Sequence, residues 1–303
     1  VALVLAAIQG VLAVLGFDVM RWVVKVILPL AVMFVAVILS LYFSTGEAAY
    51  QPSRVFAEHE FTWVGFATWM TVMVGSSLTT VTAMSDFSRY TRSGRDMKIG
   101  FWASGLLAGF LTTFIGGYAA AASGQSNPFV AGGQLTGSKV LLALLLVSVV
   151  VQMTAVNVIN LYSAGLALVN SVPRVGRMWT TLLASCVGFG LSALPGFVTQ
   201  AEKWITHLGN LAGPLTVVML VDYLVFQKGR LDVDDLYEPD GRYRYLRGFN
   251  VSAFAAIAVA VPVYYAVPGT WLKCAWGVVV GGAAYVLLRV AQERLVAARR
   301  VVA

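Results

Sequence analysis

Charged residues are scarce in this 303-residue chain. Asp, Glu, Lys and Arg together make up 12% of it, against about 25% in soluble domains. Hydrophobic residues make up 59%, and mean hydropathy is +0.79. This balance excludes an ordinary soluble domain and indicates a polytopic membrane protein. Cysteine is nearly absent. Cys186 and Cys274 both lie inside apolar runs and read as small packing residues, not as a disulfide or metal pair. His59 and His207 are the only histidines, each far from the other. No P-loop, GxSxG or HExxH occurs. ATP use, hydrolysis and zinc chemistry therefore lack their residues, and neither an enzyme nor a resident cofactor is expected. The net charge of +7 is a matter of membrane topology, and nucleic acid is not an expected partner.

What the chain has in abundance is long apolar runs. About 20 such residues cross a bilayer as helix. The sequence predicts an all-α protein with nine spans: Val1–Phe17, Trp22–Phe43, Phe61–Met84, Ile99–Ala122, Val140–Val169, Met178–Leu194, Trp204–Phe226, Phe249–Val267 and Leu272–Leu288. Pro29, Pro214 and Pro262 fall inside three of them, tolerable where neighbouring helices satisfy the freed carbonyls. Of the 21 Lys and Arg residues, seventeen fall on one side and only Arg54, Lys139, Lys203 and Lys273 on the other. That asymmetry predicts a cytoplasmic C-terminus in the inner (cytoplasmic) membrane of the cell. With nine spans the first then begins outside, so an odd number of helices is expected upstream of Val1. Such a chain is not expected to transport on its own.

Between the spans, Ser44–Glu60 reads as a polar external loop, and Ser123–Ser138 as either a gate-like re-entrant segment or a plain Gly-rich connector. Gln227–Arg247 reads as a solvated cytoplasmic loop. Its Asp232-Val233-Asp234-Asp235 run lacks the spacing of a calcium loop, and Asp240 does not supply it. Gly105/Gly109 and Gly277/Gly281 have the spacing that lets membrane helices approach closely.

Two spans carry unusual polarity. In Thr71–Tyr90, Gly75-Ser76-Ser77 and Thr79, Thr80 and Thr82 interrupt an apolar run. A helix unwound at Gly75–Ser77 would expose backbone groups to a planar polar solute in a low-dielectric cavity. The alternative is that these hydroxyls bond back to their own helix and pack against neighbours. In the fifth span, Thr154, Asn157 and Asn160 are three apart and step by about 60° around a helix, forming one stripe. Gln152 is the remaining amide there. A hydroxyl with carbonyls suits Na⁺ and an Asn suits a nucleobase-like edge, while interhelical hydrogen bonding is the plainer use. At the inner ends of two spans, Asp86-Phe87-Ser88-Arg89-Tyr90 and Asp222-Tyr223 suit either gating latches or interface anchors.

At these residues the chain resembles the nucleobase–cation symporter family, which includes purine–cytosine, allantoin and hydantoin permeases. The resemblance rests on Val74-Gly75-Ser76, on Ser85-Asp86-Phe87-Ser88-Arg89-Tyr90, on Asn160-Leu161-Tyr162-Ser163-Ala164-Gly165, and on Val221-Asp222-Tyr223 followed by Tyr237. It implies a leucine-transporter-type inverted-repeat fold, with this chain holding helices 4–12 of twelve. Residues 1–43 would be helices 4–5 of the first repeat, 61–226 the second repeat (helices 6–10), and 249–292 two peripheral helices. It further implies that Gly75, Ser76, Ser77, Thr79 and Asn160 bind substrate, and Asn157, on the same polar stripe as Asn160, is expected beside them. Val151 (through its carbonyl), Thr154 and Ala155 would form a Na⁺ position, and Asp86, Ser88, Arg89 and Tyr90 the cytoplasmic signature. Sodium-coupled members carry two adjacent hydroxyls where this chain has Thr154-Ala155, so Na⁺ and H⁺ both stay open as the coupling ion.

The expected function is secondary active import of a nucleobase or related heterocycle (cytosine, purine, allantoin or hydantoin type) by cation symport within the lipid bilayer. The alternatives are transport of an amino acid or vitamin on the same frame, and a non-transporting membrane scaffold or receptor. Two polar segments at mid-depth argue against a scaffold.

Overall fold

The computed structural model describes residues 2–57, 61–81, 83–125, 127–238, 241–246 and 248–302. Val1, His59, Glu60, Thr82, Asp240 and Arg247, named above, lie outside them. The principal helices are α1 (Ala2–Leu15), α2 (Phe17–Ser44), α3 (Trp63–Val81), α4 (Gly94–Ser123), α5 (Lys139–Ser171), α6 (Arg177–Ser192), α7 (Ala201–Val221), α8 (Val251–Ala266) and α9 (Lys273–Val302). Among the described residues, α2, α3, α4, α5, α7 (with its extension to Phe226) and α9 are long and apolar enough to cross a membrane. The other three predicted spans correspond to α1, α6 and α8, of 14, 16 and 16 residues. Six of the nine spans are therefore of crossing length. The outward residues are apolar too: Leu106, Leu107 and Phe110 of α4 are 63%, 64% and 68% exposed. Such faces suit an apolar solvent and would aggregate in water.

The helices divide between two compact units, residues 1–60 with 88–198, and 61–87 with 199–303. Each unit is assembled from two separate stretches of the chain.

In the first unit, α5 packs against α1, α2 and α6. Gly16 makes the corner between α1 and α2 at φ +97°, a conformation that disfavours a side chain. The Arg177 guanidinium lies over that corner and donates to the Val14 carbonyl at 2.8 Å. A core of Phe34, Ile38, Tyr42, Tyr118 and Leu145 fills one end. Much of the Gly-rich segment between α4 and α5 is helical. Asn127 caps a short helix, Pro128–Gln134, whose Gly132 presses on Ile38 and whose Pro128 carbonyl accepts from Tyr42.

In the second unit, α7 packs on α3, α8 and α9. Gly281 of the Gly277/Gly281 pair lets α9 approach Ala260, Val217 and Pro214 closely. The Gly105/Gly109 pair does not act this way. It lies at a π-helical turn of α4, Ala103–Ala108, and nothing among the described residues comes within 4 Å of a Cβ at either glycine. The Asp-rich run of the 227–247 loop has a structural use as well. Asp232 caps the short helix Val233–Tyr237 by accepting from the Asp235 amide at 3.4 Å.

Candidate functional site

The polar stripe of α5 comes together with a residue outside the expected site. Gln9, in the middle of apolar α1, accepts from Asn157 Nδ2 at 3.1 Å and donates to Thr154 Oγ1 at 3.5 Å. One carboxamide thus ties two steps of the stripe to α1. Gln9, Asn157 and Asn160, with Leu161, Ser185 and Phe189, line a groove of about 550 Å³ between α1, α5 and α6. Asn160 makes no hydrogen bond to a described residue, and its amide is free to donate and accept into the groove. A lone Gln in an apolar span is costly unless paired, and that cost was the available signal for Gln9. Gln152, on another face of α5, buries an amide nitrogen with no hydrogen-bond partner among the described residues.

Of the positions assigned to a cation, Ala155 is buried and Thr154 supplies the one side-chain oxygen, already facing the Gln9 amide. The Val151 carbonyl lies within an uninterrupted helix. These groups offer two oxygens from one helix, and a full cation shell needs further ligands from elsewhere.

The expected unwinding of α3 does not occur. The helix is continuous from Trp63 to Val81, through Gly75-Ser76-Ser77. Ser77 Oγ donates to the Met73 carbonyl at 2.9 Å, Thr79 Oγ1 to Ser76 at 2.6 Å, and Thr80 Oγ1 to Ser77 at 2.7 Å. Gly75 serves instead as a crossing point. Its backbone meets that of Gly209 on α7, so closely that a Cβ at Gly209 would lie 2.7 Å from the Gly75 Cα. The regular helix ends after Val81, and a short helix, Met84–Ser88, follows.

That short helix carries the start of the Asp86–Tyr90 signature, whose residues divide between the units: Asp86 belongs to the second, Ser88, Arg89 and Tyr90 to the first. Arg89 Nη2 donates to the Tyr162 hydroxyl of α5 at 3.1 Å, and this bond raises the guanidinium pKa above its ordinary value. The Tyr90 hydroxyl lies 3.3 Å from that of Tyr162, and its ring stacks on Phe17 at 3.6 Å. Arg177 sits 5.7 Å above the Tyr162 ring. Asp86 lies on the short helix and makes no ion pair with a described residue. Arg89 is held instead in an Arg–Tyr–Tyr cluster with Tyr90 and Tyr162. Asp222-Tyr223 is likewise engaged within its own unit: Asp222 accepts from Tyr285, and Tyr223 donates to the Gly229 carbonyl.

A family model described as permease for cytosine/purines, uracil, thiamine and allantoin matches residues 1–288. The chain belongs to this permease family. Its relatives include the hydantoin permease of Microbacterium maritypicum, 27% identical over 219 residues (67% of this chain, 45% of that protein). The purine-uracil permease NCS1 of Arabidopsis thaliana is 29% identical over 222 residues (68% and 36%). The allantoin permease of Bacillus subtilis strain 168 is 27% identical over 231 residues (70% and 45%). The chain spans less than half the length of each. Mhp1 in its inward-facing conformation shares the fold, with a TM-score of 0.69 at 24% identity over 95% of this chain and 65% of Mhp1. So does Mhp1, described as a nucleobase-cation-symport-1 family transporter, in a closed conformation with bromovinylhydantoin bound, at 0.69 and 23% identity. The chain is therefore a mostly helical part of an integral membrane protein of the nucleobase–cation symporter family.

Proposed function

We propose that this permease takes part in importing a nucleobase or related heterocycle by cation symport, with alternating access on a leucine-transporter-type inverted-repeat frame of nine transmembrane helices and a cytoplasmic C-terminus. The observation that carries the reading is the carboxamide-lined groove of about 550 Å³ holding Gln9, Asn157 and Asn160. Its size suits a small solute, since ligand pockets run to about 300–1,000 Å³. Cytosine, purines, allantoin and hydantoins all present amide-like edges that alternate donors and acceptors, and an Asn or Gln side chain offers the complementary pair. Asn160, with its amide uncommitted, is assigned to the heterocycle edge. Asn157 is assigned beside it, held in place by Gln9.

On α3, Gly75, Ser76, Ser77 and Thr79 remain the residues assigned to substrate. Gly75 contributes by letting the helix pack closely, and Ser76 by a hydroxyl that makes no hydrogen bond to a described residue. The Val151 carbonyl, Thr154 and Ala155 mark the place assigned to Na⁺. With one hydroxyl there, proton coupling is an equal alternative. The signature residues Arg89 and Tyr90 are assigned to a latch on Tyr162, and Asp86 and Ser88 to the same signature.

The test is uptake of radiolabelled cytosine, hypoxanthine and allantoin with and without a Na⁺ gradient. Saturable uptake that Asn160→Ala removes supports the assignment, and its Na⁺ or pH dependence identifies the ion. Inserted, folded protein that takes up none of the three, but does take up thiamine or an amino acid, would replace the substrate class.

A further inference from the structure

The second unit holds a cavity that the transport reading does not use. It has a volume of about 500 Å³, with walls formed by Leu215, Val218 and Met219 of α7, Val81 at the end of α3, and Leu231. Its polar groups gather around Asp222, where α7 widens into the π-helical turn Asp222–Phe226. One carboxylate oxygen accepts from the Tyr285 hydroxyl at 2.6 Å, and the other from Gln227 Nε2 at 3.5 Å. Tyr285 is fully buried, and Asn250 Nδ2 donates to its hydroxyl at 3.0 Å, which fixes the direction of the Tyr285 proton toward Asp222.

The carboxylate is half-buried and pairs with no Lys or Arg among the described residues. Arg289, one turn beyond Tyr285, is committed to Glu293 and lies over Phe226 and Tyr245. Two of the roughly four acceptor positions of a carboxylate are filled, leaving a negative charge at the edge of an apolar trough. A charge there is stabilised most by a cation that also donates hydrogen bonds. The turn leading to Leu231 carries two more charges of the opposite sign, Lys228 and Arg230, both exposed. A carboxylate for an ammonium, nearby basic residues for a phosphate and an apolar wall for a chain together describe a zwitterionic amphiphile.

We propose that this cavity binds a phospholipid with a primary ammonium headgroup, phosphatidylethanolamine, through Asp222. The ammonium donates to the free positions of the carboxylate, and an acyl chain lies along Leu215, Met219 and Leu231. Phosphatidylcholine has the same charges but no N–H to donate.

The test is native mass spectrometry of the purified chain titrated with phosphatidylethanolamine, its mono- and dimethylated forms, phosphatidylcholine and phosphatidylglycerol. Phosphatidylethanolamine is expected to bind about tenfold more tightly than phosphatidylcholine, the worth of a charge-assisted hydrogen bond, with affinity falling stepwise on methylation. Asp222→Asn should remove that preference, weakening phosphatidylethanolamine binding more than phosphatidylcholine binding, which loses only the charge attraction. Met219→Trp, which fills the trough, should weaken both. A flat methylation series in the unaltered chain overturns the proposal, even if Asp222→Asn does not fold. So does a preference for phosphatidylglycerol that depends on Lys228 and Arg230 alone. Uptake assays play no part in these readouts, so the lipid site stands or falls independently of the substrate.

Discussion

The α3 stretch around Gly75 and the α5 stretch around Asn157 have similar polar content at similar depth in an apolar helix, yet they use it in opposite ways. On α3, Ser77, Thr79 and Thr80 spend their donors on carbonyls three or four residues earlier. On α5, Asn157 reaches across to Gln9, which reaches back to Thr154. The difference is one of side-chain chemistry. A Ser or Thr hydroxyl sits close enough to its own backbone to satisfy itself within the helix. A carboxamide carries two donors and an acceptor and is not satisfied that way, so it needs a partner from another element or a ligand. In a membrane helix, amides report tertiary organisation more strongly than hydroxyls do.

If α3 contributes shape at its crossing and α5 contributes chemistry, the largest effects should come from the two glycines of the crossing, and unequally. A Cβ at Gly209 meets the Gly75 backbone at 2.7 Å, whereas one at Gly75 has its nearest neighbour, the Gly209 Cα, at 3.4 Å. Gly209→Ala is therefore expected to cost about 1–3 kcal/mol through overpacking and Gly75→Ala less than about 1 kcal/mol. Thermal unfolding of the two variants in one detergent reads the difference. Equal losses would mean that the crossing relaxes freely and that α3 is not held there.

On the α5 side, Gln9→Leu removes both bridging bonds while keeping the volume. The expected loss of stability is about 1 kcal/mol, since interhelical hydrogen bonds in membranes contribute modestly. Substrate affinity should fall more than stability does, because Asn157 loses its orientation, and a rise in KM of about tenfold corresponds to about 1.4 kcal/mol. An unchanged KM in a destabilised protein would reduce Gln9 to a packing residue. Tyr162→Phe sits one step lower. It removes the hydroxyl shared by Arg89 and Tyr90 but keeps the ring under Arg177, and about 1 kcal/mol of stability is expected to go with it.

Helix positions were legible in the sequence, because apolar run length fixes what can span a bilayer. Val140–Val169 anticipates Lys139–Ser171 closely, and the run from Trp22 differs from α2 mainly in the five-residue start that Phe17 and Asp18 supply. The long-range partners were not legible. Glycine beside hydroxyls signals either an unwound segment or a tight crossing, and only Gly209, far along the chain, decides for the crossing. Gln9 was hidden in a short apolar span with no local pattern around it. Gly105 and Gly109 had the right spacing, but nothing among the described residues comes within 4 Å of a Cβ at either. The stripe Thr154–Asn157–Asn160 was visible because three polar residues at helical spacing in an apolar run are costly without a shared purpose.

The finest distinction separates adjacent residues on α3. Ser76 and Ser77 are both exposed and chemically identical, but only Ser77 donates to its own helix, at 2.9 Å to Met73. Ser76 keeps its donor, so it is the one of the two able to give a new hydrogen bond to a substrate without breaking another. Neither alanine variant should change stability by more than about 0.5 kcal/mol, as neither hydroxyl is buried. In uptake, Ser76→Ala is expected to raise KM severalfold, while Ser77→Ala stays within about twofold. The reverse order would mean that substrate binding rearranges the bond to Met73, and a local change in α3 would then belong to the transport cycle. Two unchanged variants would leave α3 with shape alone, and the recognition chemistry would rest on the amides of α5.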